Sequence, residues 1–287
     1  MKILTFFAVP LLLAGSAANL LAGPISEYYL TVGQQNLFHV VQGSSVNRTW
    51  LGATDWQSSL AVVNTVRTMG AFPGYSGQEF TLSGSPTGTT YPFPLTGGEF
   101  YDGTTDGVYN YAWDRANGIA YRFDRGWANP VVLFVLGTTD GARLGITHDP
   151  TNDSLWISGW DGTVGNKIEN RAMNGALLSS FYVAHDKNVA LALDPVGGTL
   201  WLNDRNKLDS GLAPVFEQYS KTGTLLSTQS YPTLLGENIL GGEFVAGMTG
   251  FPPEVPEPSA LALWSCGGLI LFAIVRRRRL RSPRPVG

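Results

Sequence analysis

The sequence predicts an all-β protein, a β-propeller of about five four-stranded blades, and three observations predict it. Three segments of equal length align without gaps: "NYAWDRANGIAYRF" from Asn110, "GITHDPTNDSLWIS" from Gly145 and "ALALDPVGGTLWLN" from Ala190. A second shared piece follows two of them, "NKIENRAMNGALLSSFYV" from Asn166 and "PVFEQYSKTGTLLSTQSY" from Pro214. Finally, 35 glycines and 17 prolines are scattered so that no long stretch of 3.6-residue apolar period survives in the body.

In the first piece an aspartate at the fifth position is followed seven residues later by an aromatic. The pairs are Asp114 with Tyr121, Asp149 with Trp156 and Asp194 with Trp201, and the aspartates are 35 and 45 residues apart. Apolar residues alternate with period two before and after "DRANG", "DPTND" and "DPVGG", whose Asp, Pro, Asn and Gly set turn dihedrals, so each segment reads as a hairpin. The second piece reads as another hairpin around Asn-Gly or Thr-Gly, with Glu169 and Glu217 each six residues before Gly175 and Gly223. "GQEFTLSGSPTGTTYPF" from Gly77 is a looser copy. Two hairpins per unit give a four-stranded antiparallel sheet of about 40 to 48 residues, the period of a propeller blade.

The count of five comes from "YLTVGQQNLFHVVQG" near the N-terminus, a divergent unit from Leu60 to Phe93 and the three clear units. Four or six blades, or a β-sandwich, are the alternatives; a sandwich would not require a recurring Asp-to-aromatic spacing. "GGEFYDG" from Gly97 recurs as "GGEFVAG" from Gly241, which implies that the last strand completes a blade begun at the N-terminus. The body resembles the loose group of propellers that includes NHL-type and gluconolactonase-like proteins.

The formal charge of −3 conceals an asymmetry. Six of the 19 basic residues follow the last apolar run and Lys2 lies in the leader, leaving 12 basic against 22 acidic residues between leader and apolar run, a net of −10. Such a body excludes binding to a nucleic-acid backbone, which needs clustered Lys and Arg. The single cysteine, Cys266, falls within the C-terminal apolar run and reads as a small apolar residue, so the body has neither a disulfide framework nor a thiolate metal site.

Both ends read as targeting segments. Residues 1–23 show a basic residue, an apolar stretch and then small residues, the plan of a secretory signal peptide. Residues 24–250 form the propeller-like domain and 251–259 a Pro-rich linker. The uncharged run 260–275 spans about 24 Å as a helix, somewhat less than the ~30 Å hydrocarbon layer. The cluster Arg276, Arg277, Arg278 and Arg279 opens a basic tail, 276–287, that stays cytoplasmic and places the body outside.

Val255, Pro256, Glu257, Pro258 and Ser259, followed by that run and the arginines, closely resemble the PEP-CTERM sorting signal of Gram-negative bacteria. The resemblance implies recognition by an exosortase, a membrane-embedded protease or transpeptidase, and export to the cell surface or to an exopolysaccharide or biofilm matrix. The physics suits a handle, since two prolines keep the motif extended and unpaired just outside the bilayer.

Candidate chemistry in the body is sparse. Asp114, Asp149 and Asp194 have two readings: carboxylates lining a channel and holding Ca²⁺, or turn residues accepting backbone N–H bonds two residues on. The sequence favours the turn. "GGEF" invites comparison with diguanylate cyclases, but those carry it within an α/β domain. His39, His148 and His185 share no metal-ligand spacing, and no Gly-x-Ser-x-Gly elbow or nucleotide-binding loop is present. Trp56, Trp113, Trp127, Trp156, Trp160 and Trp201 are candidates for a sugar-stacking face, with Trp156 and Trp201 assigned by register to the core between blades.

The expectation is therefore an exported, surface- or matrix-associated propeller with a binding or structural role and no cofactor. Its expected partners are an exosortase, exopolysaccharide or surface proteins, and the membrane. The alternative is a metal-dependent lactonase or lyase, for which three or four acidic and Asn side chains would converge at one mouth of the channel.

Overall fold

The computed structural model describes residues 23–53, 56–138, 142–159 and 166–246. The expected leader, sorting motif, apolar run and arginine cluster lie outside the described residues. Among those described, twenty strands form five separate four-stranded antiparallel sheets, the five-bladed propeller that the repeats predict.

The first blade holds β1 (Tyr28–Val32), β2 (Leu37–Gln42) and β3 (Ser45–Leu51). The second comprises β4 (Gln57–Val62), β5 (Thr65–Gly70), β6 (Gly77–Thr81) and β7 (Pro86–Tyr91). The third comprises β8 (Phe100–Thr105), β9 (Tyr109–Asp114), β10 (Ile119–Asp124) and β11 (Val131–Val135). The fourth runs through β12 (Arg143–Asp149), β13 (Ser154–Gly159), β14 (Lys167–Ala172) and β15 (Leu177–Tyr182). The fifth runs through β16 (Asn188–Asp194), β17 (Thr199–Asp204), β18 (Val215–Tyr219) and β19 (Leu225–Ser230). The last strand, β20 (Ile239–Phe244), pairs antiparallel with β1, Tyr28 opposite Phe244, and supplies the missing fourth strand of the first blade. The ring is thus closed by hydrogen bonds between the two ends of the domain.

Burial separates inner from outer strands. β16, "NVALALD", is buried along its whole length, as a strand covered on both faces requires. β15, "LLSSFY", is largely exposed at the outer edge. The innermost strands β4, β8, β12, β16 and β20 pack against one another in a closed cycle around the axis.

The apolar core is distributed over the five spaces between blades. Trp113, Phe134, Ile146 and Leu155 fill the space between the third and fourth blades, and Trp156, Leu191, Leu200 and Tyr219 that between the fourth and fifth. Trp201, Phe216, Tyr28 and Phe244 join the fifth to the first. Trp127 is buried with Phe100 and Met69 between the second and third. Phe38, Leu60 and Phe80 close the remaining space.

One part of the repeat alignment is corrected. Asp149 and Asp194 end the innermost strands β12 and β16, and Trp156 and Trp201 sit on the second strands β13 and β17. Asp114 instead ends β9, a second strand, with Tyr121 on the third strand β10. In the third blade the equivalent pair is Asp106, in the turn after β8, with Trp113 on β9 seven residues later. Both kinds of hairpin use an aspartate to start the turn and an aromatic to pack the blade, so one motif recurs on two different hairpins of the fold.

The two "GGEF" copies also lie out of register. Phe100 opens β8 whereas Phe244 ends β20, although both segments belong to innermost strands.

Candidate ligand site at the axial mouth

The innermost strands all begin at one face of the ring, and a cavity of about 240 Å³ opens there at the axis. Every blade contributes to it. Trp56 comes just before β4, Tyr101 from the start of β8 with Arg115 following β9, Leu144 from the start of β12, and Arg205 follows β17; Asn238 precedes β20 and Leu240 lies at its start.

The two arginines are oriented by neighbours. The Arg115 guanidinium donates to Glu99 Oε2 at 2.8 Å. Arg205 donates to Asn238 Oδ1, and its Nε lies 3.6 Å from Asp209 Oδ1, on the one-turn helix α1 (Asn206–Asp209). Burial lowers the Arg205 pKa and the Asp209 charge opposes that; a guanidinium stays protonated in either case.

Burial, with the Glu99 charge second, pushes the Tyr101 phenol up to about 12. It therefore remains a neutral O–H at physiological pH. Trp56 holds a left-handed backbone (φ 56°), a sparsely populated region for a bulky residue. Its carbonyl accepts the Ala71 N–H at 2.7 Å, and its ring meets Phe72 edge-on, which in turn meets Tyr101.

Deeper along the axis lies a buried carboxylate. Asp102 Oδ1 accepts the N–H groups of Gly103 and Gly242, and Oδ2 those of Ile146 and Leu191. One side chain thus ties four innermost strands together. Burial drives its pKa upward and these four donors oppose the shift.

The repeat aspartates are turn residues and do not line the channel. Asp149 Oδ1 accepts the Thr151 N–H at 3.0 Å, and its other oxygen accepts the indole N–H of Trp156 at 3.0 Å, a bond that the Asp194–Trp201 copy does not make. Although burial raises the Asp149 carboxyl, Lys221 at 2.7 Å and these donors hold it below its ordinary value. Asp194 accepts from Val196 and Gly197, and Asp114 from Ala116 and Asn117. Asp114 lies at the mouth face, whereas Asp149 and Asp194 lie at the opposite end of the ring.

The histidines are likewise dispersed. His39 pairs with Thr49, His148 with Asp153 and His185 with Glu217. Among the described residues no group of three or more His, Cys, Asp or Glu side chains is placed to hold a metal ion.

Of the tryptophans singled out from sequence, Trp113, Trp127, Trp156 and Trp201 are buried between blades and only Trp56 reaches the cavity. Trp160 lies outside the described residues. Arg115 and Arg205 each follow the aspartate that ends the second strand of their blade, Asp114 and Asp204, a pair found at that position in no other blade, and Tyr101 and Asn238 carry no sequence signal that marks them.

No protein-family model matches the chain, and no curated protein matches it. Among solved structures it is similar to one described as the crystal structure of a nidogen/laminin complex. That likeness has 13% identity and a TM-score of 0.49, covering 76% of this chain and 97% of the other. It is also similar to a protein of unknown function from Bacteroides caccae, at 11% identity and a TM-score of 0.42, covering 71% of this chain and 73% of the other. The five-bladed architecture rests on the strand order itself.

Proposed function

We propose that the chain is an exported propeller, delivered by a PEP-CTERM-like tail, that binds a matrix component at the cell surface and does not transform it. The observation that carries the binding part is the composition of the axial cavity: among the described residues it is lined by arginine, aromatic, amide and leucine side chains. A lactonase-type site needs carboxylates and Asn converging on a hard cation. The donor set here, guanidinium and phenol, suits an anion or a hydroxylated ligand instead.

The order of the tail, motif then apolar run then arginines, supports the export and sorting part. The two prolines of Pro256–Glu257–Pro258 lack backbone donors, which suits a motif to be read by a protease. The retained arginines would stop transfer until cleavage releases the body.

Intact-mass analysis of the protein recovered from the surface of an exosortase-bearing host tests this, alongside a Glu257→Ala, Pro258→Ala variant. The parent is expected to lack the arginine tail and the variant to keep it. If both keep the tail, the sorting function is wrong and the body is a membrane-anchored propeller.

A further inference from the structure

The axial cavity has features that narrow its ligand. Its volume, about 240 Å³, falls below the roughly 300–1,000 Å³ of sites for drug-sized molecules. That limits the occupant to something near the size of one sugar ring. Arg115 and Arg205 enter from the third and fifth blades; each is paired with an acidic neighbour, Glu99 and Asp209, so a ligand carboxylate would share guanidinium N–H groups with those pairs. A planar guanidinium matches a carboxylate in a two-bond fork.

A bare inorganic anion would leave the apolar part of the wall unused. Leu144 and Leu240 line the cavity beside the Trp56 and Tyr101 rings, surfaces that suit the C–H face of a pyranose. The Tyr101 O–H and the Asn238 amide supply donors and an acceptor for ring hydroxyls. The aromatic chain Trp56–Phe72–Tyr101 keeps two of these groups fixed in relation to each other.

We propose that this cavity binds a single uronic acid unit, free or at the end of an acidic polysaccharide, with Arg115 and Arg205 on the carboxylate and Trp56 and Tyr101 against the ring. The proposal deepens the binding function above and rests on it only for the source of the sugar. The site is non-covalent, and its affinity falls with ionic strength because the charge recognition faces solvent at the mouth.

The test is calorimetric titration of the full-length protein with D-glucuronate, its methyl ester, D-glucose and inorganic phosphate, with tryptophan fluorescence followed in parallel. Glucuronate is expected to bind at one site and to be weakened by salt, with the ester and glucose at least about 10-fold weaker, the loss expected for one charge-assisted pair. Arg115→Gln should lose about 10-fold for glucuronate while leaving the melting temperature unchanged, because Arg115 is a third exposed. Tyr101→Phe, which keeps the ring and removes the O–H, should weaken glucuronate and glucose by the same factor.

Glucose binding as tightly as glucuronate would overturn the proposal, as would phosphate binding as tightly or no glucuronate binding at millimolar concentration. Uronate binding by a protein that keeps its tail would sink only the sorting function. Tail removal without uronate binding would sink only the site.

Discussion

Asp102 and Leu191 are 89 positions apart in the chain, yet the Leu191 N–H donates to Asp102 Oδ2 at 3.0 Å. The same oxygen takes Ile146 and the other takes Gly103 and Gly242, so all four lone-pair directions of one buried side chain are used. A propeller's innermost strands have no sheet partner on their axial side. Their N–H groups there need an acceptor that water does not supply, and an ionised carboxylate, which only accepts, meets that need better than any neutral side chain.

Asp102→Asn should therefore destabilise the whole ring. The amide oxygen can still accept two N–H groups, but its NH₂ faces two other donors. Losing two charge-assisted bonds amounts to roughly 3–5 kcal/mol. Urea unfolding is expected to show that loss with an unchanged slope, and a variant as stable as the parent would show that Asp102 does not tie the strands together.

Close approach at the axis makes a second prediction. A Cβ at Gly241 would lie 2.3 Å from the Ser58 carbonyl oxygen and 2.8 Å from that of Tyr101, backbone atoms of the second and third blades. Gly241→Val should cost about 3 kcal/mol or more, since neither blade can shift without opening the ring. Gly211 is the control: it has φ +69° but open space around its Cβ position. Gly211→Ala should cost only the ~1–2 kcal/mol of a left-handed alanine. Thermal melts of the two variants rank them; equal costs would mean the axis is looser than this spacing.

How much of this was readable from the sequence follows from what each feature depends on. The blades were readable because Asp149 and Trp156, or Asp194 and Trp201, are local pairs whose spacing is fixed by one hairpin. The same locality misplaced Asp114: turn chemistry is identical in β8–β9-type and β9–β10-type hairpins, and only pairing across the sheet separates them. Asp106 was passed over although it caps its turn with Val108 and Tyr109 N–H groups at 2.7 and 2.6 Å. Of the axial cavity only Trp56 was singled out, as one of six candidate stacking tryptophans. Trp56, Tyr101, Arg115, Arg205 and Asn238 are spread over four blades, with Leu144 from the remaining one, and only ring closure by β20 brings them to one mouth.

Acid should unfold the protein in two stages. His39 sits on β2, 4% exposed, with Nδ1 2.9 Å from Thr49 Oγ1, and burial lowers its pKa from 6.5 to about 4. The unfolded chain takes up this proton below pH 6.5, the folded one only near 4, so the neutral ring's contribution is complete above 6.5 and is lost as pH falls through 4. That difference corresponds to about 3 kcal/mol. Glu169 adds a second stage: burial raises its carboxyl, but Arg171, Lys167 and Arg143 outweigh that and hold it below 4.5. Its contribution is present above pH 4.5 and disappears as pH falls through the lowered folded value. His39→Phe, which keeps a flat ring and removes the titration, should flatten the stability profile between pH 6.5 and 4 while leaving the steeper fall at lower pH. Denaturant midpoints measured across that range decide it, and a His39→Phe profile that still falls from pH 6.5 would place the sensitive group elsewhere.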